Sequence, residues 1–236
     1  MSKIWVLARK EINFYLNNPL GYIVAAIFAV FSNFLFMKDI FLRGNTSLRP
    51  FFDFIPWVLM IFIPALAMRI FSEEKRTQTI ELLLSLPIEE KRIVMGKYFG
   101  TFVYSLIALA LTLSIPITVN YLGRVSLAEV IVSYFGVICL IGLFLAISIW
   151  FSSMTKNQIV AFLASILVLF LTIAASGDFF APILPRALLE IINIFTPLYH
   201  YNTFLKGIID LRSLIYFFSV SLFFIYITVV NLKDRQ

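Results

Sequence analysis

Apolar runs recur along this chain, parted by short polar stretches. Residues 20–37, 54–68, 98–122, 130–153, 159–177 and 214–232 carry no Asp, Glu, Lys or Arg. Each reads as a membrane-spanning helix, since about 20 apolar residues cross a hydrocarbon core of roughly 30 Å. The 54–68 run is short, but its helix can continue past Asp53 and Arg69, whose charged ends reach the interfaces. Pro56 and Pro64 should bend it. Gly21, Ala25, Ala26 and Ala29 give the first span small residues for close helix contact.

Two stretches depart from this pattern in the apolar direction. Residues 1–18 alternate at helical spacing, with Trp5, Ala8, Ile12 and Leu16 on one face and Arg9, Lys10, Asn13 and Asn17 on the other. That split predicts an interfacial amphipathic helix, broken at Asn17-Asn18-Pro19, and Arg9 to Glu11 interrupt any signal-peptide core. Residues 178–213 are apolar but cut by Pro182, Pro185 and Pro197 into pieces too short to cross. They predict an extracytoplasmic re-entrant feature before the last span.

The third departure is charged. Residues 69–97 hold two mixed-charge clusters, Glu73 to Arg76 and Glu89 to Arg92, around an apolar piece at 77–86. As a helix, 77–86 places Thr77, Glu81 and Ser85 on one stripe and covers the rest with Ile80, Leu82, Leu83, Leu84 and Leu86. So apolar a surface needs a groove or the bilayer, while the charged flanks can be read by another protein. Pro87 should end it, and Glu89 and Glu90 suit the first turn of the next helix. Any polytopic protein also has charged loops that serve topology alone.

Composition narrows the class rather than changing it. The 236 residues are 61% hydrophobic and 14% charged, against roughly a quarter charged in a soluble domain, so the expected fold is a single all-α polytopic membrane domain of six helices. The net charge of +6 then speaks of topology and anionic lipid, with no nucleic-acid partner expected. With both termini on one side, that side carries twelve basic residues and the other seven, which predicts cytoplasmic termini, a cytoplasmic 69–97 segment and residence in a bacterial-type inner membrane. One cysteine, Cys139, and one histidine, His200, exclude an internal disulfide and argue against a metal centre. His200 reads as a capping or interfacial histidine. No charged residue falls in mid-span, which argues against an ion-coupled carrier. Gly96-Lys97 is followed by Tyr98, so it is no phosphate-binding loop, and no G-x-S-x-G is present; the chain is not expected to be an enzyme.

The run Pro64-Ala65-Leu66-Ala67-Met68-Arg69, then Phe71-Ser72-Glu73-Glu74-Lys75-Arg76, Thr79-Ile80-Glu81-Leu82-Leu83-Leu84-Ser85-Leu86-Pro87 and Gly96-Lys97 resembles the signature of ABC-2 type transporter permeases. It is closest to the branch with gliding-motility and copper-processing permeases. That branch often has Gly where Gln78 stands, which bears on the turn before Thr79. Pro197 to Tyr201 with Gly207 to Asp210 resembles the family's segment before its last span. The resemblance implies a permease that pairs with a second permease, as a homo- or heterodimer, and with separate ABC-type ATPase subunits. Those subunits would bind the ATP and Mg, so no cofactor belongs to this chain. It further implies that the ATPase meets Glu73, Glu74, Lys75, Arg76, Thr79, Glu81, Leu82 and Leu83 of the coupling helix, and Met154 and Lys156 of a second, shorter contact. Transport of a substrate is the leading expectation; the alternative is a membrane subunit of an ATP-driven envelope or motility machine that moves no substrate itself.

Overall fold

A computed structural model describes residues 3–43, 47–85, 88–122, 126–176 and 193–233. Every element among these is helical. In chain order they are α1 (Lys3–Asn17), α2 (Pro19–Arg43), α3 (Arg49–Ala67), α4 (Arg69–Arg76), α5 (Thr79–Leu84), α6 (Glu90–Ala110), a 3-10 turn (Leu111–Leu113), α7 (Ser114–Leu122), α8 (Leu127–Met154), α9 (Gln158–Ala174), α10 (Pro197–Leu205) and α11 (Leu211–Lys233). The protein is an all-α polytopic membrane protein.

Four stretches are long and apolar enough to cross a bilayer: Arg49–Arg76, Glu90–Tyr121, Leu127–Met154 and Leu211–Lys233. A fifth arises if α1 and α2, bent by 76° at Asn18, count together. The sixth of the expected spans is α9, which at 17 residues rises only about 26 Å. Central to the bundle is α8, buried all round from Leu140 to Ile149, with α3, α6, α9, α10 and α11 packed about it. A helix apolar on every side is what such a central position demands.

Prolines shape these rods in a way that tyrosines complete. Pro56 has no N–H for the carbonyl four residues back, and the Tyr201 hydroxyl of α10 donates to that Phe52 oxygen at 2.8 Å. Pro116 likewise frees Thr112, at the 3-10 turn, and Tyr134 of α8 donates to its carbonyl at 3.2 Å. Each freed carbonyl is thus satisfied by a cross-helix hydrogen bond.

The structure redraws two boundaries and extends a third as its short apolar run allowed. The helix of the 54–68 run continues past Met68; α3 runs on through a one-residue break into α4, so the first charged cluster lies on its continuation. The third span begins at Glu90 rather than 98, and Gly96 and Lys97 lie inside it. The helix expected over 77–86 is shorter: Thr77 caps α4, and α5 begins at Thr79. Its expected end at Leu86-Pro87 lies outside the described residues. So do residues 178–192 of the re-entrant stretch, the 234–236 tail, and Gly44 to Thr46. Within the described part of that stretch, α10 has nine residues, too few to cross, and packs against α8 and α11.

Gln78 separates α4 from α5 with φ 58° and ψ 14°, a left-handed conformation that costs a non-glycine residue roughly 1 kcal/mol or more. Gln78→Gly should therefore raise the melting temperature of the detergent-solubilised protein, and Gln78→Val, β-branched at positive φ, should lower it. Equal melting of the two variants would show that the turn adopts another conformation.

Candidate functional site

The charged cluster of α4 has an inner and an outer side. Ile70, Phe71, Ser72 and Lys75 are buried, while Arg76 is exposed and Glu73 half-buried. The inner side is sewn to the end of α8. Ser152 Oγ accepts from the amides of Phe71 at 3.1 Å and Ser72 at 3.3 Å and donates to Met68 O at 2.9 Å. Those amides open a new helix and need an acceptor from outside it; a serine of another helix supplies one, as an N-cap would. Ser72 donates to Met68 O as well. Lys75 donates its ammonium to Ser153 O, and Asn231 of α11 donates to the same oxygen at 3.1 Å and to Ser153 Oγ at 2.9 Å.

A second polar group joins α4 to α1 and α6. Lys97 Nζ lies 2.7 Å from Glu74 Oε1, 3.1 Å from Glu11 Oε1 and 3.1 Å from Ile70 O, and its side chain is only 4% exposed. Arg69 spans the same seam, its guanidinium 3.1 Å from the Phe14 ring centre and 3.6 Å from Glu73. The Tyr15 hydroxyl donates to Leu66 O at 2.9 Å.

These contacts explain why α1 is not merely a surface helix. Ala8 and Tyr15 are buried, with Leu7 and Phe14 packed beside the core, whereas Trp5 is 51% exposed. The expected apolar face of Trp5, Ala8, Ile12 and Leu16 is therefore rotated relative to the packed one. The cause is Gly96-Lys97-Tyr98-Phe99-Gly100, a G-x-x-x-G surface that lets backbones touch. A Cβ on Gly96 would stand 2.6 Å from Leu7 Cβ, and one on Gly100 2.7 Å from Ala8 O.

Of the ten residues expected to meet an ATPase, the structure turns three inward, Lys75, Glu74 and Leu83. Lys75 is spent on Ser153, and Glu74 on Lys97. Arg76, Thr79 and Glu81 are exposed, and so are Met154 and Lys156 just beyond the serines that hold α4. The two expected contact stretches are thus neighbours, since α4 packs against both α8 and α9. Leu83 is partly buried against this protein's own core, so Leu83→Asp would loosen α5 itself and cannot serve as a pure contact probe. Leu82's side chain lies outside what is described. Between Met154 and α9, Asn157 forms the cap, its Oδ1 accepting from Ile159 N at 2.9 Å.

Elsewhere, His200 is buried and hydrogen-bonded, with Nε2 2.9 Å from Ile194 O, Nδ1 3.2 Å from Ser213 Oγ and its ring stacked on Tyr216. A carbonyl can only accept, so Nε2 carries the proton. Among the described residues no group of His, Cys, Asp and Glu could hold a metal ion. A cleft of ≈ 570 Å³ between α2 and α3 is apolar, lined by Phe28, Phe31, Phe54, Trp57 and Ile61 among others.

Sequence reasoning missed Glu11, Ser152, Ser153 and Asn231, and it quoted Lys97 in the signature without giving it a role. For Lys97 the signal was present: a lysine between the glycines of a helix-packing surface. No curated protein matches this chain. Residues 5–232, nearly all of it, match the family described as ABC-2 family transporter protein. With the polytopic helices and the charged segment beneath them, the chain belongs to the ABC-2 transporter family and is a membrane permease component of an ABC transporter.

Proposed function

We propose that this permease meets its ATPase through the outer side of the α4–α5 segment and the 154–158 hinge, that both termini and this surface are cytoplasmic, and that ATP-driven closure of two ATPases moves two permeases to export a substrate. The observation that carries this reading is the two-sided α4. Its inner side is fixed to α8 by Ser152 and Ser153, so a push on its outer side is delivered to the central helix. Exposed Thr79, Glu81, Met154 and Lys156 supply a small polar surface with one apolar anchor, Met154, at 50% exposure. The excess of basic residues supports the cytoplasmic placement. The motif run from Pro64 to Lys97 supports the gliding-motility-like branch, with permease subunits paired as in the family it resembles.

The test is capture of an ABC-type ATPase subunit co-expressed with this chain. Met154→Asp combined with Glu81→Arg should cut capture about tenfold, equivalent to about 1.4 kcal/mol, at equal membrane abundance. Tyr121→Ser, at a distant residue 88% exposed, should leave it unchanged. Parent-level capture by the double variant would rule this surface out.

A further inference from the structure

We propose that Lys97 is a positioning residue that locks α1 to α4, so that the N-terminal helix moves with the coupling segment as one body. Two helix pairs meet here, each held by its own means. In one, α1 lies on α6 over Gly96 and Gly100. In the other, α4 is bound to α8 through Ser152 and Ser153. Lys97 belongs to the first pair by its backbone and reaches into the second with its side chain.

The chemistry of the reach is complete. An ammonium has three protons. Lys97 has three acceptors: Glu11 of α1 at 3.1 Å, Glu74 of α4 at 2.7 Å and the α4 carbonyl of Ile70 at 3.1 Å. It is buried, so salt screens these pairs little. Two carboxylates around one ammonium leave a net charge of −1, and without Lys97 they would repel. The lysine is therefore what ties these two carboxylates, and through them α1 and α4, together across α6. Glu74 has its other oxygen, Oε2, buried with no hydrogen-bond partner in the structure, so its attachment runs through Lys97. Arg69 over Phe14 and Tyr15 on Leu66 add contact at the same seam without neutralising either carboxylate.

That the motion is ATP-driven rests on the proposed function above; the lock itself does not. Spin labels on Arg9→Cys and Arg76→Cys, both exposed in the parent, report the α1–α4 distance after Cys139→Ser removes the native thiol. The purified permease in nanodiscs should give one narrow distribution, retained by Lys97→Arg. Lys97→Met, which strands two carboxylates, should broaden it at least twofold. The triple variant Lys97→Met, Glu11→Gln, Glu74→Gln has no stranded charge to unfold it, and it too should be at least twofold broader. A triple variant as narrow as the parent, or Lys97→Arg as broad as Lys97→Met, overturns the lock. Adding the ATPase and ATP then separates the two readings. The parent should shift its α1 label together with α4, whereas the triple variant should capture the ATPase and shift α4 alone. Absence of capture by the unlabelled parent, with Arg76 intact, defeats the ATPase surface and leaves the distance result to decide the lock.

Discussion

Replacing Ser152 with valine will lower the melting temperature of the purified permease by about 6 °C or more. The serine is fully buried and serves three backbone groups at once, the amides of Phe71 and Ser72 and the carbonyl of Met68. Valine carries one more heavy atom than serine, so in this fully buried site overpacking adds to the lost hydrogen bonds. A buried polar group left without a partner costs about 1–3 kcal/mol, and two amides left so bring the total to about 3 kcal/mol. For a chain of this size that corresponds to about 2–4 °C per kcal/mol. Ser152→Ala, which leaves space for a bridging water, should cost less than valine despite its smaller side chain. The measurement is a thermal melt in detergent, followed by loss of monodisperse protein. Valine melting above alanine would mean that packing, rather than the trans-helix cap, governs the site.

The same serine shows where sequence reading reached its limit. Hydrophobic periodicity finds the spans because lipid demands apolar residues in long continuous runs, and the charged 69–97 stretch is conspicuous against them. Which side of α4 faces inward was not legible. Glu73 and Glu74 are chemically alike, yet one is half-exposed beside Arg69 and the other points at Lys97. That choice is made by α6 and α8, far away in sequence. The resemblance put Lys75 among the partner contacts, whereas its ammonium donates to a carbonyl at the end of α8. The rotation of α1 had the same origin. Trp5 outweighs Ala8 on any hydrophobic scale, but close approach to two glycines selects the small residue. The break before Thr79 was not legible either. The helix was expected to start at Thr77, and glutamine in place of the resembled branch's glycine put only the local turn in question. The structure sets a left-handed Gln78 between α4 and α5.

Gly100→Leu will release α1 from the bundle. A Cβ at this position would lie 2.7 Å from Ala8 O, 2.7 Å from Glu11 Cβ and 3.1 Å from Ala8 Cα. Two of these three atoms are backbone, so no rotamer change in α1 relieves the overlap; the helix must move away. Overpacking of this kind costs about 1–3 kcal/mol when neighbours adjust, and more when they cannot. Moving α1 outward also lengthens the Glu11–Lys97 contact of 3.1 Å, adding the loss of a buried charge pair. Trypsin gives a direct reading, because Arg9 and Lys10 are exposed but sit within a helix, and cleavage requires local opening. In the detergent-solubilised permease, the rate of cleavage at these residues should rise at least tenfold, the factor that about 1.4 kcal/mol confers when opening is in fast equilibrium. Gly100→Ala meets the same backbone atoms with a single methyl and should show a smaller rise in the same direction. A leucine variant cleaved at the parental rate would mean that α1 does not rest on the glycine face of α6.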